Sequence, residues 1–103
     1  MLRYTQHFLN KIESVFQEGG YTIRYEKGNF QFGYCVVQHK KIAVINKFYD
    51  IEGRIGSLID MLQVVVLDEE ALSTTSMKLY QEMMKESALK EKLEEPSTQS
   101  ELS

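Results

Sequence analysis

The sequence predicts a small α+β domain: a three-stranded, mainly antiparallel sheet packed by helices, in the order α-β-β-β-α-α. Three observations carry this. Apolar residues recur every three or four positions over residues 5–18 and again over 51–62, the spacing of a helix with one buried face. Between them, Tyr21, Ile23 and Tyr25 alternate with Thr22, Arg24 and Glu26, the period of a strand with one wet face. Residues 30–37 and 41–46 are then apolar on either side of a polar stretch, the pattern of a hairpin. A chain of 103 residues builds one core and not two.

In the first helix Phe8, Leu9, Ile12, Val15 and Phe16 form the stripe, Thr5 is the N-cap, and Gly19-Gly20 supplies a left-handed stop. Lys27-Gly28-Asn29 is turn chemistry. The hairpin loop Gln38-His39-Lys40-Lys41 lacks the Asn-Gly of a two-residue turn, so a four-residue loop is expected, with Val37 opposite Ile42 and Cys35 opposite Val44. Phe30, Phe32, Tyr34, Val36, Ala43 and Ile45 then share the other face. Both faces are apolar, so both call for cover.

Asp50 caps a second helix whose buried face is Ile51, Ile55, Leu58, Ile59 and Leu62. Gly53 and Gly56 lie inside it at about 1 kcal/mol each against Ala, so this helix is expected to be held by packing close to the sheet. Val64 to Leu67 fits a short strand or a buried stretch of helix or loop. Asp68 caps a short acidic helix from Glu69 to Leu72, and a longer amphipathic helix follows over 76–94. The expected organisation is a compact core over 1–67, an acidic helical segment over 68–94 and a disordered tail over 95–103, where Pro96 and several Ser and Thr replace apolar residues.

Charge and composition narrow the function. Residues 1–63 carry eight bases and six acids, residues 64–103 four bases and nine acids. The net charge of −3 argues against a nucleic-acid glove, which needs a basic excess. The single cysteine excludes an internal disulfide framework and a Cys-rich zinc module. The N-terminal stretch is broken by polar residues, with no signal-peptide core and no membrane span, so a cytoplasmic protein is expected.

Motifs for chemistry are absent. There is no HExxH, CxxC, DxDxDG, Walker loop, GxGxxG or GxSxG, and neither a metal nor a cofactor is expected. Cys35 sits between Tyr34 and Val36 on an apolar strand, where cysteine behaves as a small hydrophobe and alkylates slowly. The segment KGNFQFGY places Phe30, Phe32 and Tyr34 at strand alternation, which resembles the base-stacking strand of RNA-binding domains, with Arg24, Lys27, Lys40 and Lys41 nearby as phosphate contacts.

With YEKGNFQFGYC over Tyr25–Cys35 and VINKF over 44–48 in place, residues 21–62 resemble a family of small bacterial proteins of unassigned function marked by YEKG-x-F-x-x-GYC. More remotely, the element order is similar to the ImmA/IrrE-type metallopeptidases. That resemblance implies that Ile59 to Gln63 stands in the place of their HExxH, with Ile59 and Gln63 where the histidines belong and Asp60 where the glutamate belongs. It implies a degenerate scaffold without zinc chemistry.

The expected function is therefore a non-catalytic protein-interaction or scaffolding module. Its expected partner is another protein or a second copy of itself, through Phe30, Phe32, Tyr34, Met77, Tyr80, Met83 and Met84. One alternative is single-stranded RNA binding through Phe30, Phe32 and Tyr34. Another is a small enzyme whose pocket, between sheet and second helix, is built from Arg24, Glu26, Asn46 and Asp60.

Overall fold

The Thr5 hydroxyl accepts the Phe8 N–H at 3.2 Å and opens α1 (Gln6–Glu18), satisfying one of the donors a helix start leaves free. All five predicted stripe residues of α1 are buried. Gly20 leaves the helix at φ 104°, as the Gly-Gly pair predicts. Gly19 answers a different need: a Cβ there would lie 2.8 Å from the Cβ of Leu67. Its carbonyl also accepts the Asp68 N–H at 3.0 Å. The computed structural model describes residues 4–94, with side chains to residue 86; the predicted tail over 95–103 lies outside the described residues.

The strands are β1 (Tyr21–Glu26), β2 (Phe32–Val37) and β3 (Lys40–Asn46). Their spatial order is β1-β3-β2, with β1 parallel and β2 antiparallel to the central β3. The sheet is thus mixed, where a mainly antiparallel one was expected. The cause is the connection at 27–31, which carries the chain past the end of β3 so that β2 lands on the far side and β3 returns through the middle. Asn46 clamps that crossing. Its Nδ2 donates to the Gly28 carbonyl at 3.0 Å and the Phe30 carbonyl at 2.7 Å, and its Oδ1 accepts the Phe48 N–H at 2.9 Å.

The hairpin differs from expectation in its turn. Gln38 and His39 alone make it, at φ 50° and 70°, and Val37 stands opposite Lys40 with Cys35 opposite Ile42. Two residues at positive φ are the type I′ geometry, whose twist matches that of the flanking strands. That match prevails over a cost of about 1–2 kcal/mol for each non-glycine residue in the left-handed region. The register has slid by two, and because side chains alternate with period two, the face assignments survive.

The helices cover one face only. Ala43 and Ile45 of β3 are buried among Ile12, Phe16, Ile55, Leu58 and Met61, with Ile23, Tyr25 and Phe32 packed at the margin. The opposite face, carrying Thr22, Arg24, Glu26, Cys35, Val37, Ile42 and Val44, has no described element packed on it. Cys35 is accordingly exposed, which removes the apolar cover from which slow alkylation was expected.

In α2 (Ile51–Met61) the Asp50 carboxylate accepts the Gly53 N–H at 2.8 Å. The glycines do not mark an approach to the sheet. A Cβ on Gly53 would meet the Cβ of Tyr49 at 3.1 Å, and one on Gly56 would meet nothing within 4 Å. Residues 65–68 form neither strand nor helix; Val65 and Leu67 are buried while Val64 and Val66 face out. A 3-10 turn follows at Glu69–Ala71, and Asp68 gives it no side-chain cap.

Helix α3 (Thr74–Glu94) starts two residues before the expected 76. Ser73 Oγ accepts the Ser76 N–H at 3.2 Å, and the Glu18 carboxylate accepts the Ser73 N–H at 2.9 Å. These bonds tie the end of α1 to the start of α3 and hold the Glu18 carboxyl below its usual range, the Ser73 N–H being the main cause. Met83 belongs to the same apolar core as α1, α2 and β3, with Leu79, Tyr80 and Met84 packed beside it. The described part of 68–94 therefore completes the core expected to end at residue 67.

Candidate interaction surface

The polar residues expected to line a pocket do not meet in one. Arg24 and Glu26 form an exposed ion pair at 3.1 Å, on the sheet face away from the helices. Asn46 is buried; its Nδ2 holds the 27–31 crossing and its Oδ1 accepts the Phe48 N–H. Asp60 lies on α2, across the sheet from the ion pair, and accepts a hydrogen bond from Gln31 Nε2 at 3.2 Å. The pocket expected from Arg24, Glu26, Asn46 and Asp60 is replaced by three separate structural contacts.

A cluster that local spacing did not reveal lies between α1, β1 and α2. The Tyr25 hydroxyl donates to the Glu13 carboxylate, and the Arg54 guanidinium sits 4.5 Å from the Tyr25 ring centroid. Arg54 also donates from Nε to the Tyr49 carbonyl at 2.9 Å and from Nη2 to the Lys47 carbonyl at 3.0 Å. Burial first, then the hydrogen bond to Glu13 and its charge, push the Tyr25 pKa well above the usual value, with Arg54 opposing. A tyrosine held this way keeps its proton at neutral pH and works as a cross-brace. The only sequence signal was that a tyrosine on the inner face of a strand must find a partner for its hydroxyl.

An open groove between α1 and the start of α3 is lined by His7, Lys11, Lys78, Glu18 and Glu82 among hydroxyl side chains. Glu18 there is already engaged with Ser73. Among the described residues no three His, Cys, Asp or Glu side chains are grouped to hold a metal ion. No described helix is long and apolar enough to cross a membrane.

The expected interaction residues separate into two sets. On α3 the Met stripe is not a free surface: Met83 is 0% exposed, and Met77, Tyr80 and Met84 are half-buried. The helix folds back because the 65–73 segment reverses the chain and Glu18 anchors Ser73. On the sheet, Phe30 and Phe32 are half-buried, with Phe32 packed against the core. The run of stacking rings expected for RNA thus leaves Tyr34 as its one exposed member.

Apolar surface stays uncovered singly at Phe48, Val64 and Val66, and as a run of neighbours along the outer side of β2. Tyr34 is 50% exposed, Val36 63% and Val37 49%, and among the described residues β2 has no strand on its far side. The strand reads FGYCVV, with no charge and no proline. No known family model, curated protein or solved structure matches the chain. The surface must be read on its own chemistry. It continues around the strand onto the open face, where Ile42 and Val44 lie half-buried beside exposed Cys35 and the Arg24–Glu26 pair marks the far rim. Lys40 and Lys41 flank the turn at one end. An apolar strip with a charged rim is the composition of a protein contact.

Proposed function

We propose that the chain is a non-catalytic protein-interaction or scaffolding module acting in the cytoplasm. The observation that carries this reading is the uncovered apolar strip formed by β2 and the adjoining open face of the sheet. Folded proteins blunt exposed sheet edges with charge, proline or a covering element; β2 carries neither charge nor proline, and among the described residues no strand lies on its outer side. The groups with latent chemistry support the same reading, since Glu13, Tyr25, Arg54 and Asn46 are all engaged in bracing the fold. A free, exposed Cys35 fits a reducing compartment.

The similarity to a degenerate metallopeptidase scaffold is compatible with this function. Ile59 is buried in the core and Gln63 lies beyond the end of α2, so the stretch aligned with the zinc motif offers no pair of ligands on one helix face.

The test is Cys35→Lys with Val37→Lys, two exposed positions on the open face. Thermal unfolding is expected to shift by only a few degrees, because neither side chain is in the core. Proteins that co-purify with the wild-type chain from its native cell are expected to be lost. If the double variant retains the same set of partners at the same yield, the sheet is not the contact surface and the reading fails.

A further inference from the structure

We infer that the partner of β2 is a second copy of the same chain, added antiparallel across a two-fold axis at Tyr34. This rests on the interaction-module reading above and names its partner. The hydrogen-bond pattern of the hairpin sets the geometry. A two-residue turn makes its flanking pair, Val37 and Lys40, the closing hydrogen-bonded pair. Bonding alternates from there, so Val37, Cys35 and Gly33 bond inward to β3. The N–H and C=O groups of Val36, Tyr34 and Phe32 point outward, with no strand among the described residues to receive them.

A copy centred on Tyr34 pairs all three outward residues: Tyr34 with Tyr34, Phe32 with Val36 and Val36 with Phe32. Each such pair exchanges two hydrogen bonds, about six in all. The side chains of the three lie on one face and match across the axis. Half-buried Phe32 receives exposed Val36, and the two half-exposed Tyr34 rings stand opposite each other. Aromatic–aromatic and aromatic–β-branched pairs are the favourable cross-strand combinations. On the other face, Gly33 leaves room opposite Cys35.

Charge does not oppose this pairing: Lys41 turns its ammonium to the Tyr21 ring on the β1 side, 5.8 Å from the centroid. The opposite sheet edge, β1, carries Arg24 and Glu26, whereas β2 carries no charge. Edge pairing through β2 alone closes a dimer with strand order β1-β3-β2-β2-β3-β1, and a closed two-fold contact does not propagate into a fibre.

The experiment is sedimentation equilibrium of the full chain, wild type beside Tyr34→Lys and Val66→Lys. Tyr34→Lys sets two like charges directly opposite each other at the axis and is expected to weaken dimerisation at least about tenfold. Circular dichroism should be unchanged, because residue 34 is half-exposed. Val66, 78% exposed and in none of the strands, is the control for non-specific apolar association, and its variant is expected to dimerise as wild type does. Cys35 reports the register. Each Cys35 stands opposite Gly33 of the other copy, which sets the two Cα atoms roughly 8 Å apart, beyond disulfide reach of about 7 Å. A short bis-maleimide is therefore expected to link the dimer, and a mild oxidant is not.

A monomeric wild type overturns the inference, as does Tyr34→Lys dimerising with wild-type affinity or rapid disulfide formation at Cys35. A monomeric wild type leaves the broader reading to the co-purification experiment with the open-face variant, so the two failures are told apart.

Discussion

Tyr25 shows how a single side chain can link three elements. Its ring packs at the edge of the core, its hydroxyl reaches α1, and its face receives a cation from α2. Removing the hydroxyl in Tyr25→Phe leaves the Glu13 carboxylate without this donor and is expected to cost about 1 kcal/mol, the net worth of a partly buried hydrogen bond. The pH dependence has a definite sign. The folded chain holds the Tyr25 proton more tightly than the unfolded chain, so its contribution is complete below about pH 10, the ordinary tyrosine pKa. Above that pH the unfolded tyrosine ionises first and stability falls as pH rises. Urea unfolding between neutral and strongly alkaline pH should show a shallower alkaline fall in Tyr25→Phe. Some fall remains, because burial also raises Tyr4, Tyr21 and Tyr80. An alkaline limb identical to wild type would remove Tyr25 from this role. At this scale the sequence was legible where a residue acts on near neighbours, as Thr5 and Asp50 do at their caps. It was silent where the partner is remote, as Glu13 is for Tyr25 and Gly28 for Asn46.

Among the elements, α2 carries the least explained choice. Gly56 sits in the helix interior with a negative φ and open space where a Cβ would go, and neither a turn nor a close approach requires it. Gly56→Ala is therefore expected to stabilise the fold by about 1 kcal/mol through helix propensity and a less floppy unfolded chain. Chemical denaturation with an unchanged slope would register it as a rise in midpoint; a fall would mean that a neighbour occupies the space. Gly53 is the contrast, since Tyr49 crowds its missing Cβ. The helices and the strand faces were readable from periodicity, which reports burial. The hairpin register was not, because Gln38 and His39 give no warning that they adopt positive φ. Strand neighbours were not readable either. Alternation along β1 says which residues point inward and nothing about which strand lies alongside, so the parallel β1–β3 pairing came only with the structure.

For the molecule as a whole, the position of α3 decides what is available to a partner. Docked on α1 and the core, it withdraws the Met stripe from the surface and leaves the sheet as the open side. If this packing is integral, Met83→Ala should destabilise the full chain by about 2–4 kcal/mol, the usual range for truncating a fully buried long side chain. That is a large share of a small domain's total stability, and urea unfolding would measure it. A loss below about 0.5 kcal/mol would mean that α3 rests on the core without completing it. The candidate surface was half legible in advance. The apolar character of both sheet faces was on view in the sequence, but which face stays bare depends on where three helices come to rest. Hydrophobic periodicity records that a surface needs cover and does not name the element that supplies it.

The central place of β3 also orders the events of folding. β2 and β3 are adjacent in the chain and can zip from their turn within microseconds, the timescale of an isolated hairpin. β1 must wait, because its sheet neighbour is a strand made twenty residues later and their parallel pairing closes a loop before any contact rewards it. The topology therefore favours the local hairpin before the β1–β3 pairing, and the stripe of Phe8, Leu9, Ile12, Val15 and Phe16 gains its full cover of Ala43 and Ile45 only once β3 has both neighbours.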